Sequence, residues 1–457
     1  MSTRPNILYI MSDDHAAHAI SAYGSQINHT PNIDRLADEG VRLTNTFCTN
    51  ALCTPSRATI LTGQYSHVNQ VKTLDDEIDS SRPIQSQKLL KQAGYDTAIV
   101  GKWHLGNNEA SNPQGFDYWN ILPGQGDYYD PVMIENGVEH QLEGYVTDLI
   151  TDIAVEWLDS RDSEAPFFLM VHHKAPHSPW IPAKRHENLG VEGKLPEPET
   201  LMDDYETRSE AVKITSIRVE DTRKANLKFD PPPGISQDEK RKWAYQRYIT
   251  DYTRTVQAVD DSVGTLLDYL DEQGLAENTL VIYTSDQGMF LGDHGWHDKR
   301  YMYEESLRMP FIARLPGKIE AGSVASDMLL NVDFAPTFMD YAGVEVPDDV
   351  QGSSGRDLLE GTTPDDWQKS LYYRYWMHTI GHKVIPNYGV RNERYKLIYY
   401  YGVTLEDTRN PEININAEWE LYDLDADPCE LNNVYGQLEY SEIQAEMLAE
   451  LDWLQAQ

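Results

Sequence analysis

The segment that begins at Cys53 combines a thiol, a helix start and an arginine. Cys53 is one of 3 cysteines among 457 residues. Pro55 suits the first turn of a helix because its missing N–H costs no hydrogen bond there. Arg57 then lies on the opening turn, whose free N–H groups and dipole favour an anion. A thiol at this position is expected to have a lowered pKa and a nucleophilic sulfur. The alternative is a small buried hydrophobic residue, which suits a lone cysteine better.

A second group of polar residues follows an apolar segment further along the chain. Residues 97–100 are predicted to form a short buried strand, and Gly101 allows a sharp turn of the backbone after it. Lys102 and His104 lie two residues apart beyond that strand, so both side chains can enter one pocket. For either residue alone, a surface lysine or a structural histidine is the simpler interpretation.

Three more apolar segments, each predicted to be a buried strand, end in polar residues. Residues 6–11 precede Asp13 and Asp14, residues 167–171 precede His177, and residues 279–284 precede Asp286 and Gln287. Open α/β sheets bind ligands at the carboxyl edge of their strands, where these side chains would meet. Three carboxylates and an amide carbonyl favour a hard cation, Ca²⁺ ahead of Mg²⁺. An adjacent pair of aspartates considered alone would be a solvated turn.

Two blocks of this sequence match motifs of one enzyme family. The segment Cys53-Thr54-Pro55-Ser56-Arg57, followed by Leu61-Thr62-Gly63, has the pattern C-x-P-S-R with L-T-G after it. Residues 94–104 follow the pattern G-Y-x-T-x-x-x-G-K-W-H. With both blocks in order, the chain resembles the type I sulfatases of the alkaline phosphatase superfamily, and among them the bacterial carbohydrate sulfatases.

The resemblance implies that Cys53 is the reaction centre. In this family a formylglycine-generating enzyme converts the cysteine to formylglycine, whose hydrated aldehyde is the nucleophile. The metal ligands that the resemblance implies are Asp13, Asp14, Asp286, Gln287 and the residue at position 53. Gln287 departs from the family pattern, because many members have asparagine or histidine there. Its carbonyl can still bind the cation, but it lies at the end of a longer side chain.

The same resemblance assigns roles to the remaining polar residues. Lys102 and Lys299 are expected to hold the sulfate, and Arg57 to steady the nucleophile through its fixed donor fork. Asp286 is expected to take the proton of the attacking hydroxyl. His177 then protonates the departing alcohol, and His104 accepts the proton that is released when the enzyme is regenerated. A histidine pKa near 6.5 suits both transfers.

The net charge and the hydropathy of the chain bear on its binding partners and on its cellular compartment. A net charge of −36 disfavours nucleic acid and anionic membranes as partners. No apolar run approaches the roughly 18 residues of a membrane span. The first residues show no signal-peptide core, which is expected of a cytoplasmic protein, or of a periplasmic or secreted one whose leader was removed. Three cysteines do not make a disulfide framework, although the spacing allows a Cys48–Cys53 bridge.

The pattern of elements predicts an α/β fold with a large, mainly parallel sheet sandwiched by helices and a smaller C-terminal antiparallel sheet with one helix. We divide the chain into a catalytic domain, residues 1–370, and an α+β subdomain, residues 371–457, that contributes to the substrate pocket. Apolar residues between 252 and 270 fall at helical spacing and belong to the core. The polar residues from about 185 to 242 are predicted to be a peripheral excursion that borders the pocket.

The substrate hypothesis depends on a basic, aromatic stretch in the C-terminal part. Residues 372–396 carry five basic residues against one acidic residue, in a chain of net charge −36. Arginines bind anionic groups and aromatic faces stack on sugars, so Arg374, Arg391 and His378 are predicted to bind substrate. Ordinary core aromatics of a sheet are the alternative.

We therefore expect hydrolysis of a carbohydrate sulfate ester, at an accessible or terminal sugar of a polysaccharide or oligosaccharide. An arylsulfatase, or a phosphonate or phosphodiester hydrolase of the same superfamily, remains open, because it would use the same cysteine, metal and lysines. A catalytically silent homologue that only binds sulfated glycan is a further alternative.

Overall fold

The computed structural model describes residues 4–161, 164–190, 194–377, 382–402 and 416–456. The strands in these residues are β1 (Asn6–Asp13), β2 (Val41–Phe47), β3 (Asp96–Lys102), β4 (Tyr118–Leu122), β5 (Val132–Glu135), β6 (Val138–Gln141), β7 (Phe167–Pro176), β8 (Thr279–Ser285), β9 (Arg308–Arg314), β10 (Ser323–Ala325), β11 (Leu329–Leu330), β12 (Ser370–Tyr375), β13 (Asn387–Asn392), β14 (Tyr395–Tyr400) and β15 (Glu418–Asp423). The α-helices are α1 (Pro31–Asp38), α2 (Cys53–Thr62), α3 (Ser66–Asn69), α4 (Ser86–Gln92), α5 (Val146–Ser160), α6 (Glu210–Lys213), α7 (Lys224–Leu227), α8 (Gln237–Glu272), α9 (Glu304–Leu307), α10 (Phe334–Tyr341), α11 (Arg356–Leu359) and α12 (Ser441–Gln455).

One large sheet forms the centre of the molecule. Among the described residues its strands run in the order β10-β2-β9-β8-β1-β7-β3-β4-β5-β6, and β11 also pairs with β2. The neighbours β8, β1, β7, β3 and β4 are parallel. The pairs that include β9, β5 and β6 are antiparallel. The predicted large, mainly parallel sheet is confirmed.

β1 shows why this sheet is covered on both faces. All eight of its residues are buried. Successive side chains of a strand point to opposite faces, and accordingly Ile7, Tyr9 and Met11 pack into one apolar cluster while Leu8 and Ile10 pack into another. A continuous apolar run is therefore needed here, rather than an alternation of apolar and polar residues.

The long helix α8 covers one face of the sheet and begins earlier than its apolar spacing indicates. Ser236 and Glu239 form a capping box at its start, which satisfies backbone N–H groups that the first turn leaves without partners. The stretch predicted to be a peripheral excursion therefore already contains the first turns of this helix. Among the described residues, no helix is long and apolar enough to span a membrane.

The C-terminal part forms a separate antiparallel sheet in the order β12-β13-β14-β15, and α12 packs on it. This agrees with the predicted sheet and helix, except that β13 has no counterpart among the predicted strands. Its sequence, NYGVRN, contains two asparagines and a glycine, residues that are depleted in strands. Gly389 is required because a Cβ there would lie 2.1 Å from the carbonyl oxygen of Leu397 on β14.

Candidate active site

Four neighbouring strands deliver the predicted site residues to one edge of the large sheet. Asp13 ends β1, Lys102 ends β3 and Ser285, directly before Asp286, ends β8. β7 runs on to Pro176, so His177 follows it directly. Because β3, β7, β1 and β8 are adjacent and parallel, their carboxyl ends meet, as the sequence predicts.

Gly101 is required by this convergence. Its φ of +106° lies in the region that favours glycine. A Cβ at this position would lie 2.0 Å from the carbonyl oxygen of His172 on β7. A larger residue would therefore push β3 away from β7 just before Lys102.

Helix α2 places Cys53 against these strand ends. Cys53 is the first residue of the helix, and all ten residues of the helix are buried. Arg57, one turn later, donates from Nε to Oδ2 of Asp286 at 2.9 Å and from Nη1 to the carbonyl oxygen of Lys102 at 2.8 Å. One buried arginine thus fixes the helix to the ends of both β8 and β3.

The prediction of a lowered thiol pKa is wrong for the unmodified cysteine. Burial raises the pKa of the Cys53 thiol, and the positive charge of Lys102 opposes this only in part. Desolvation of the thiolate therefore outweighs the start of the helix. The Cys48–Cys53 bridge that the spacing allows does not form, since both thiols are free.

A cluster of carboxylates and cations lies beside Cys53. Lys102 pairs with Oδ2 of Asp13, and Lys299 pairs with Oδ1 of Asp14 at 2.5 Å. Gln287 donates from Nε2 to the same Oδ1 at 2.6 Å. Oδ1 of Asp13 and Oε1 of Gln287 are buried and accept no hydrogen bond from any described residue. Two buried oxygens without donors fit a hard cation.

The same cluster contains a histidine that could bind a metal and that was not among the predicted metal ligands. Asp13, Asp14 and His177 offer ligand atoms that all lie within 4.8 Å of one another. Nε2 of His177 is 3.8 Å from Oδ2 of Asp14. Nδ1 of the same ring donates to the carbonyl oxygen of Ser178 at 2.8 Å, which leaves Nε2 without a proton in the neutral ring.

Burial and neighbouring charges shift the pKa values of the acidic residues. Burial and the negative charge of Asp13 raise the pKa of Asp286 to about 7, against the opposing charge of Arg57. Burial also raises the pKa of Asp14, although Lys299 opposes it. At Asp13, burial alone would raise the pKa, but Lys102 holds it well below its usual range.

The two predicted proton-transfer histidines are neutral in the folded protein. Burial, followed by the charge of Lys102, lowers the pKa of His104 to about 2. Its Nδ1 lies 3.3 Å from Oγ1 of Thr54, the residue after Cys53. Burial also lowers the pKa of His177 well below its usual value. Burial therefore makes both rings resist protonation, so the pKa near 6.5 expected from the sequence is not found at either residue.

A cavity of about 270 Å³ opens onto this edge of the sheet. Of the predicted site residues, those that line it are Asp14, Cys53, His177 and Lys299. Arg57, Lys102 and Asp13 do not line it; Lys102 pairs with Asp13, and Arg57 pairs with Asp286. The stretch predicted as an excursion contributes Ser216, Asp221, Arg223 and Asn226 to the wall, which confirms that it borders the pocket.

An ionic cluster in the cavity wall was not predicted from the sequence. Oδ2 of Asp298 lies 3.3 Å from Nε of Arg300 and 3.3 Å from Nδ1 of His382. Arg300 also donates from Nη1 to the hydroxyl of Tyr375 at 3.1 Å. Asp298 and Arg300 have φ values of 77° and 92°, which strain a residue with a side chain. They flank Lys299 in the sequence, and that proximity is the signal that could have identified them.

Two of the predicted substrate residues, Arg374 and Arg391, do not line this cavity. Arg391 is 6% exposed and pairs with Glu304 at 3.1 Å, away from the cavity, which argues against its predicted role. The guanidinium of Arg374 stacks 3.4 Å from the ring centre of Trp376, and among the described residues it does not line the cavity. His378 lies outside the described residues.

Comparison with known proteins identifies the family. A family model described as "Sulfatase" matches residues 5–344, and one described as "N-sulphoglucosamine sulphohydrolase, C-terminal" matches residues 292–457. The chain belongs to the sulfatase family. It is therefore a sulfuric ester hydrolase, as the two sequence motifs predict.

Individual relatives extend this result. An N-acetylglucosamine-6-O-sulfatase of Bacteroides thetaiotaomicron is 44% identical to the chain, over 99% of this sulfatase and 87% of the relative. A solved structure of a protein with its substrate D-glucosamine-2-N,6-O-disulfate matches with a TM-score of 0.91 and 42% identity, over 99% of this sulfatase and 98% of that chain. A phosphonate monoester hydrolase of Agrobacterium radiobacter matches with a TM-score of 0.77 and 21% identity, over 99% and 96% of the two chains. At that identity the likeness shows the fold alone.

Proposed function

We propose that this sulfatase removes the 6-O-sulfate from a glucosamine-type sugar at the end of a saccharide. The observation that carries the proposal is 44% identity, over 99% of the chain, to an N-acetylglucosamine-6-O-sulfatase. A cavity of about 270 Å³ supports a single terminal sugar, because pockets for larger drug-sized ligands have roughly 300–1,000 Å³.

Cys53 is proposed as the source of the nucleophile. Converted to formylglycine, it would supply a hydroxyl of the hydrated aldehyde for attack on sulfur. The buried helix start holds this residue at the cavity surface. Arg57 keeps Asp286 beside it through the 2.9 Å hydrogen bond. Asp286, with a pKa raised by burial and by Asp13 to about 7, is suited to accept a proton near neutral pH.

The acidic cluster is proposed to hold Ca²⁺ or Mg²⁺ through Asp13, Asp14, Asp286 and Gln287. A cation bound there would supply positive charge to the sulfate oxygens. Lys299 lines the cavity and Lys102 lies behind it, so both can add positive charge at the sulfate.

His104 and His177 are proposed as the proton carriers. The neutral ring of His104 beside Thr54 accepts a proton from position 53. His177 lines the cavity, and its hydrogen bond to Ser178 directs Nε2 toward Asp14. Nε2 of the neutral ring carries no proton, so His177 must first take up a proton there before it can donate that proton to the oxygen of the departing sugar.

The sugar itself is proposed to be bound by the cluster of Asp298, Arg300 and His382. Their carboxylate, guanidinium and imidazole groups present both acceptors and donors, which suits sugar hydroxyls. Because their mutual contacts hold these side chains in place, they lose little conformational entropy when the sugar binds.

The test is a panel of substrates with purified enzyme whose conversion at Cys53 is checked by peptide mass spectrometry. We expect turnover of N-acetylglucosamine 6-sulfate, with the 3-sulfate isomer, an aryl sulfate and a phosphodiester all slower. Cys53→Ala should lower the rate by about 10⁴-fold or more. Cys48→Ala, which removes a buried thiol five residues away, is the matched control and should keep the activity. Faster turnover of the phosphodiester or of the 3-sulfate isomer would refute the proposal.

A further inference from the structure

One cation in the cavity wall has no carboxylate partner in the described part of the chain. Arg223, Lys299 and Arg300 are the lysines and arginines that line the cavity. Lys299 pairs with Asp14 and Arg300 with Asp298. Within the described chain, the exposed side chain of Arg223 makes neither an ion pair nor a hydrogen bond. In a sequence with 74 acidic and 38 basic residues, partners for a cation are abundant.

The lysines near Arg223 do have carboxylate partners, so the lack of a partner within the described residues is specific to Arg223. Lys224, the next residue, pairs with Asp230 at 2.7 Å. Lys228 pairs with Asp251 at 2.8 Å and donates to the carbonyl oxygen of Trp180 at 2.7 Å. Since Trp180 also lines the cavity, Lys228 fixes this segment against the wall. Arg223 is thus held at the cavity by a segment whose other cations face carboxylates.

A second polar group lies one turn from Arg223. The backbone N–H of Asn226 donates to the carbonyl oxygen of Arg223 at 2.9 Å, so the two residues are three apart on one helical turn. Asn226 lines the cavity, and its side-chain amide has no hydrogen-bond partner among the described residues. A guanidinium and an amide together offer several N–H donors, which match the oxygens of a sulfate or carboxylate.

We propose that Arg223, with Asn226, binds a second anionic group of the substrate, distinct from the sulfate ester that is cleaved. This inference rests on the proposed function. The group is a sulfate or a carboxylate, carried either on the amino group of the same sugar or on the neighbouring sugar. Asp221 also lines the cavity and would repel this group, so the anion is placed on the side of Arg223 and Asn226.

The test compares three substrates that differ in their second charge. These are N-acetylglucosamine 6-sulfate, glucosamine 2-N,6-O-disulfate, and a disaccharide that links N-acetylglucosamine 6-sulfate to a uronic acid. Arg223→Gln should lower kcat/KM for at least one doubly charged substrate about tenfold or more, mainly through KM. The N-acetylated monosaccharide should change less than about twofold, because it offers no second anion. Arg223→Lys should recover part of the loss.

Lys224→Ala is the matched control, since it removes one positive charge at the adjacent residue outside the cavity. It should leave all three substrates unchanged. Which doubly charged substrate responds identifies the position of the anion. Equal losses on all three substrates, or no loss on any, would overturn the inference.

A binding measurement separates this inference from the proposed function. Cys53→Ala protein needs no formylglycine, and calorimetric titration with the disulfate and with the uronic acid disaccharide reads affinity alone. Weaker binding after Arg223→Gln in that background supports the subsite even if turnover prefers another ester. If the wild-type enzyme turns over no 6-sulfate, the proposed function fails while the titration still decides the role of Arg223.

Discussion

The ionic groups beside Cys53 are arranged in pairs, and two oxygens remain outside this pairing. Lys102 neutralises Asp13, Lys299 neutralises Asp14, and Arg57 neutralises Asp286. Oδ1 of Asp13 and the side-chain carbonyl of Gln287 still lack donors within the described residues. A buried acceptor without a partner costs about 1–3 kcal/mol, and a divalent cation would remove that cost at both atoms.

We therefore expect Ca²⁺ to stabilise protein that has been stripped of metal by chelation. A ligand at 100 times its Kd adds about 2.7 kcal/mol to the free energy of unfolding, which thermal unfolding detects as a higher Tm. Asp13→Asn should abolish most of this shift, because it weakens one ligand. Asp221→Asn, at a carboxylate of the same cavity outside the cluster, should keep the shift. An equal shift in wild type and Asp13→Asn would place the cation elsewhere.

At the scale of elements, the basic stretch in the C-terminal sheet has a structural explanation. Arg391 on β13 makes two hydrogen bonds of 3.1 Å to Glu304. Lys396 on β14 pairs with the same Glu304 at 2.9 Å and with Glu430 at 2.7 Å. Glu304 begins α9 of the large-sheet region. Much of the local excess of positive charge therefore neutralises buried carboxylates and joins the two sheets.

We predict that Arg391→Ala destabilises the protein without a specific effect on substrate. Glu304 would keep only Lys396, and loss of one charged partner at a buried site costs about 1–3 kcal/mol. Arg394→Ala, which breaks a more exposed pair with Asp423, is the control and should cost less. Urea unfolding measures both variants. A raised KM for the sulfated sugar with unchanged stability would instead restore Arg391 as a substrate residue.

Sequence distance explains which parts of this arrangement could be predicted. Cys53 and Arg57 are four residues apart, and Lys102 and His104 are two apart, so short motifs identify them. The acidic cluster follows from polar residues at the ends of apolar strands. By contrast, Arg391 and Glu304 are separated by 87 residues. Composition shows that the stretch is basic, but it cannot show whether a substrate or another part of the chain neutralises it.

The contacts in the cavity wall could not be predicted from the sequence either. His382 follows β12 with no periodic pattern around it, and its contact with Asp298 depends on how the two sheets pack. Arg223 lies in a polar stretch from which only a border to the pocket can be predicted. The identity of the lining residues there requires the tertiary structure, because a loop lacks the fixed period that assigns side chains to a face.

At the scale of the whole molecule, a net charge of −36 acts against the substrate. The field of the surface repels a sulfated sugar at long range. The buried side chains of Lys299 and Arg300 attract it inside the cavity. Salt separates the two effects, because exposed charges are screened over a Debye length of about 10 Å at 0.1 M, whereas buried groups are screened much less.

We therefore predict that KM for a 6-sulfated sugar falls as potassium chloride is raised from about 0.05 M to about 0.5 M, while kcat stays nearly constant. The repulsive surface is screened over this range, and the buried cations Lys299 and Arg300 largely keep their effect. Tm should rise in parallel, because self-repulsion of the acidic surface weakens. Sucrose at equal osmolality is the control and should leave KM unchanged. A KM that rises steadily with salt would show instead that attraction by the exposed cavity rim, with Arg223 as its main cation, dominates the encounter.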